Sequence, residues 1–101
     1  MTRENLDLPL DQITAFCKKW RVNEFSLFGS VLRDDFRSDS DVDVLVELEP
    51  SAPWSLFEWV DMIQELKQIF HRNVDLVEKT AIQNPFRRQA ILGSRRVVYA
   101  A

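Results

Sequence analysis

Two aspartates and a Gly-Ser pair are where this sequence could do chemistry. In the stretch GSVLRDDFRSDSDVDVLVE, Gly29-Ser30 is followed after ten intervening residues by Asp41-Val42-Asp43. Alternate residues of a strand share a face with their Cα atoms about 6.6 Å apart, so Asp41 and Asp43 can lean together onto ions between them. Carboxylates held this way repel unless a cation compensates. Hard divalent ions such as magnesium take carboxylate oxygen and complete their shells with water and substrate phosphates, which implies a nucleoside triphosphate. A Gly at a strand-to-helix turn lets backbone approach a phosphate, and Ser adds a hydroxyl beside helix N-terminal amides. At background frequencies of ~5–7% per residue type, the combined pattern arises by chance in about one chain in a thousand of this length. The bland alternative is a solvated sheet face whose charges keep the protein soluble and the edge unpaired.

Elements able to position these residues can be read along the chain. After Pro9, the apolar residues Leu10, Ile13, Phe16, Cys17 and Trp20 recur at helical spacing. Asn23 to Phe28 follows as a strand that Gly29-Ser30 ends, and Val31, Leu32 and Phe36 suit a brief helix or turn. From Asp41 to Leu48, Val42, Val44, Val46 and Leu48 alternate with Asp41, Asp43, Leu45 and Glu47, the period-two pattern of a strand with one buried face. Ser55-Leu-Phe-Glu58 is a capping box, and Leu56, Trp59, Val60, Ile63, Leu66 and Phe70 continue it as an amphipathic helix to about His71. A strand from Val74 to Glu78, a short helix opened by Asn84-Pro85 and closed by Gly93, and a strand from Arg96 to Tyr99 complete the order. The expectation is an α/β or α+β fold built on a small sheet.

Composition narrows the function classes. One domain over residues 1–101 is expected from the length, with an apolar fraction of 46% and 29% charged residues in the range of folded globular chains. Thirteen basic against sixteen acidic residues give a formal net charge of -3, which disfavours nucleic acid as a direct ligand. The N-terminus carries acidic residues without a signal-like apolar core, and no run approaches the ~18 apolar residues of a membrane span, so a cytoplasmic location is expected. Cys17 reads as a small core residue, and His71 has no second His or Cys to make a zinc site. The tryptophans at 20, 54 and 59 read as core or core edge, with Trp54 a candidate for a partner surface.

Gly29-Ser30 with Asp41-x-Asp43 resembles the signature of the polymerase-beta-like nucleotidyltransferase superfamily, and the flanking residues resemble its smallest branch, the minimal nucleotidyltransferases. The resemblance implies that family's core, a small mixed sheet flanked by helices, over nearly the whole chain. It also implies a third carboxylate on a later strand, which Asp75 of Val74-Asp75-Leu76-Val77 supplies. On this reading Asp41, Asp43 and Asp75 are catalytic and ligate two magnesium ions, and Asp75 also orients or deprotonates the acceptor hydroxyl. Gly29 and Ser30 hold the phosphates of ATP, and Arg33 matches a basic loop residue that contacts phosphate or pairs with an aspartate. Ser40 also matches the family pattern as a nucleotide-binding residue, the bland reading being that it braces the strand entrance through a backbone hydrogen bond.

Larger members carry extra domains for the acceptor, so here the acceptor is expected to come from a partner. Minimal nucleotidyltransferases of this size are similar to antitoxins paired with a helical ribonuclease toxin of the HEPN (higher eukaryote and prokaryote nucleotide-binding) type. The implied function is transfer of AMP from ATP to a hydroxyl of that toxin, most readily a tyrosine. Masking the toxin without chemistry, or nucleotidyl transfer to a small molecule or an RNA end with an accessory subunit, are the alternatives.

Overall fold

The computed structural model describes residues 8–29 and 41–101. Its elements run α1 (Leu10–Trp20), β1 (Val22–Phe28), β2 (Val42–Leu48), α2 (Leu56–Phe70), β3 (Val74–Glu78), a 3-10 turn (Lys79–Ala81), α3 (Pro85–Ser94) and β4 (Arg96–Ala100). The brief helix or turn expected around Val31, Leu32 and Phe36 lies outside the described residues.

Strand order is β3-β2-β1-β4. β2 and β3 are parallel, joined through α2, whereas β1 is antiparallel to both β2 and β4. The sheet is therefore mixed, and α1 and α2 cover one of its faces. Phe16 and Cys17 of α1 and Met62 and Leu66 of α2 are buried there with Phe25, Val42, Val44 and Val46. Phe16 meets Phe25 edge-on with ring centroids 6.0 Å apart, a favourable aromatic geometry that ties α1 to the centre of the sheet.

The opposite face is less open than strand alternation predicts. Leu45 points away from α1 and α2 yet is 1% exposed, because Phe28, Ile82 and Ile91 close over it as a second, smaller core beneath α3. Residues beyond the strand itself supply this cover. At the far end of the same face, Glu24 and Glu47 stand opposite each other on β1 and β2. Like charges so placed repel, and Lys79 Nζ relieves them from 3.5 Å and 3.8 Å, with Arg95 Nη1 3.2 Å from Glu24.

Helix ends follow local chemistry. Ser55 and Glu58 make the expected capping box, the Glu58 carboxylate accepting from the Ser55 hydroxyl and from its backbone N–H at 2.6 Å. The Ser55 hydroxyl is the larger cause that holds the Glu58 carboxyl below its usual value. Asn84 Oδ1 accepts from the N–H groups of Phe86 and Arg87 at 2.9 and 3.1 Å, with Pro85 at the first helical position, so α3 begins as the sequence specifies. Its other end differs from expectation. Gly93 does not close α3, which continues to Ser94 and leaves through extended backbone at Arg95, where no left-handed residue is needed. α1 and α2 instead end in left-handed Arg21 and His71, both at φ 57°. Cys17 is buried in the core, and that burial pushes its thiol up to about 12. Trp20 is buried, while Trp54 and Trp59 pack at the core edge as expected.

Candidate active site

Sheet direction explains where the candidate residues meet. Because β1 is antiparallel to β2, its C-terminal end lies beside the start of β2, and β3, parallel to β2, begins at the same end. Gly29 leaves β1 there, Asp41 immediately precedes β2, Asp43 is its second residue, and Asp75 is the second residue of β3. A hydrogen bond from Val42 N–H to the Asn73 carbonyl at 2.9 Å fixes the two strand starts together.

Asp43 and Asp75 are direct partners in the parallel β2–β3 ladder. Adjacent strands lie about 4.8 Å apart and laterally paired residues share a face, so these carboxylates stand side by side. That is the face away from α1 and α2. Asp43 is half-buried, while Asp75 and Asp41 are exposed.

Gly29 contributes in a way the sequence did not suggest. Its φ is +74°, a left-handed conformation that side chains disfavour, and a Cβ added there would collide with Asp43 Oδ2. The position is glycine because the Asp43 carboxylate occupies the space beside it. Phe28, the preceding residue, is the β1 partner of Asp43 and packs into the small core under α3. Asp43 thus stands between Phe28 on β1 and Asp75 on β3.

The structure therefore brings together Gly29, Asp43 and Asp75, with Asp41 at the mouth of β2. Ser30, Arg33 and Ser40 lie outside the described residues. Among the described residues, no three Asp, Glu, His or Cys side chains converge tightly enough to enclose one ion. The donor set nonetheless has the chemistry a hard divalent cation takes, all carboxylate oxygen on adjacent strands, with Gly29 packed against the Asp43 carboxylate.

The nucleotidyltransferase domain family matches residues 11–98, from the first turn of α1 into β4. The chain belongs to that family. Among nucleotidyltransferases similar to it is the protein adenylyltransferase MntA of Thermococcus cleftensis, 33% identical over 91 residues that cover 86% of this chain and 87% of that one. A toxin-antitoxin crystal structure with AMP-PNP superposes with a TM-score of 0.74 at 18% identity, covering 93% of this chain and 75% of the other. A tri-AMPylated Shewanella oneidensis HEPN toxin in complex with its MNT antitoxin offers a further match, with a TM-score of 0.66 at 17% identity over 91% and 70% of the chains. At these identities the structural likenesses are ones of fold, and the fold is the minimal nucleotidyltransferase core, as the sequence resemblance implies. Among the described residues no helix is long and apolar enough to cross a membrane.

Proposed function

We propose that this nucleotidyltransferase is a protein adenylyltransferase that transfers AMP from ATP to a hydroxyl, most readily of tyrosine, on a HEPN-type toxin and so silences it. The observation that carries the reading is the lateral pairing of Asp43 with Asp75 beside Gly29, because a protein that only masked a partner would need no such paired carboxylates. The likeness to an MntA adenylyltransferase and to complexes with AMP-PNP and with an AMPylated toxin supports the choice of nucleotide and acceptor.

In this reading Asp41, Asp43 and Asp75 hold magnesium. Held there, magnesium would supply positive charge against the triphosphate and the charge that develops in the reaction. The acceptor oxygen attacks the α-phosphorus in line, the bond from that phosphorus to the bridging oxygen breaks, and pyrophosphate leaves with its electron pair. On this reading Asp75, exposed in the structure, would orient the acceptor hydroxyl and take its proton. Gly29 makes room for the Asp43 carboxylate, and Ser30 and Arg33 bind phosphate while Ser40 braces the entry to β2.

Intact-mass measurement tests the proposal. The full chain is incubated with ATP, magnesium and the product of the adjacent gene. The toxin is expected to gain one or more AMP units, and Asp43→Asn is expected to slow the gain by about 10²-fold or more, the scale seen when one charge-stabilising group is removed. Complete neutralisation of a toxin whose mass never changes would sink the reading in favour of masking.

A further inference from the structure

An open groove of about 560 Å³ lies between the start of α2 and the outer edge of β3, in the size range of clefts that bury ligands, ~300–1,000 Å³. Leu48, Trp54, Leu56, Trp59, Leu76 and Val77 give it apolar walls. Leu56 is 75% exposed, and its neighbour Phe57 is 81% exposed on the same first turn of α2. The capping box holds the backbone of that turn in place. Trp54 is fixed as well, its indole N–H donating to the Trp20 carbonyl at 2.7 Å while the two rings meet edge-on at 5.2 Å. Exposed apolar surface of this kind beside a groove marks an interaction site.

Position and charge identify the occupant. β3 is an edge strand, and its residues Leu76, Val77 and Glu78, which line the groove, directly follow Asp75. Val77, a lining residue that shares a face of β3 with Asp75, lies two positions on, about 6.6 Å along the strand, so the groove wall reaches the side of the edge on which that carboxylate stands. Glu78 supplies the one charged side chain among the lining residues, and exposed Glu49 follows the lining residue Leu48 in sequence. The nearby cation Lys79 is engaged with Glu24 and Glu47. A segment that complements this surface carries apolar side chains beside a Lys or Arg.

We propose that the groove docks the acceptor protein itself, through an apolar segment flanked by a basic residue that lies along the β3 edge and delivers its hydroxyl to Asp75. This rests on the adenylyltransferase reading, and separate measurements of binding and transfer tell the two apart. The product of the adjacent gene is titrated calorimetrically into the full chain without ATP, and its AMPylation is followed separately with ATP and magnesium. Leu56→Asp, on an exposed position, is expected to weaken toxin binding at least 10-fold and raise the KM for toxin in proportion, with ATP affinity and kcat unchanged. Glu78→Lys is expected to weaken binding several-fold, by a margin that narrows as salt screens the pair. Toxin affinity unchanged in Leu56→Asp overturns the groove, as does a dimer of the chain alone that Leu56→Asp splits, since a second copy would then be the occupant. Toxin that binds the wild type through the groove but is never labelled leaves the docking surface standing and removes the transfer reading.

Discussion

At Gly29, backbone conformation and a carboxylate make the same demand. With φ at +74° and Asp43 Oδ2 where a Cβ would go, Gly29→Ala meets about 1–2 kcal/mol of left-handed backbone cost and a collision besides. Thermal denaturation is expected to show a Tm lower by several degrees, at about 4–8 °C per kcal/mol for a domain of this size, and transfer activity is expected to fall further than unfolding accounts for. Gly93 supplies the control. It lies within α3 with nothing within 4 Å of an added Cβ, so Gly93→Ala is expected to leave activity intact and raise stability by about 0.5–1 kcal/mol. Both residues are glycines at the end of an element, and only the structure distinguishes the one that makes room from the one that merely sits in a helix.

α3 is the element whose role the sequence concealed. Its start was legible, because Asn84-Pro85 is chemistry for a helix N-terminus, and Asn84→Ala is expected to cost about 1 kcal/mol by loss of the two capped N–H groups, measurable by urea denaturation. Its destination was not legible. Alternation along β2 separates Asp43 and Leu45 from the valines but cannot say that Ile91 will cover Leu45, since that contact joins residues 46 positions apart. The capping box of α2 and the strand of Val74 to Glu78 could be read because each depends on neighbours within a few residues. The pairing of Asp43 with Asp75 was reachable only as an analogy of motif, because strand register depends on how α2 returns the chain to the sheet. Gly93 misled for a related reason: a glycine near a helix end suggests a left-handed cap, yet Arg95 leaves α3 in extended backbone.

For the molecule as a whole, the main core sits between the two helices and the sheet, and Cys17 lies inside it. Burial raises its thiol from 9.0 to about 12, so the folded state keeps a proton that the unfolded chain gives up first. The stability linked to this group is fully present below pH 9 and is lost as pH rises from there towards 12. Alkaline denaturation is therefore expected to begin earlier in the wild type than in Cys17→Ala when each is normalised to its own stability at pH 7, and equal profiles would exclude the thiol as the cause. The lateral pair Asp43–Asp75 has a temporal consequence as well. β2 and β3 are joined in parallel through the whole of α2, and such non-local pairings recover their loop-closure entropy late in folding. The hairpin of β1 and β2 can form first and still hold only half of the carboxylate pair. With the proposed roles of these aspartates, competence arrives with the closing of the sheet, and a half-made chain emerging from synthesis would carry no finished site with which to spend nucleotide.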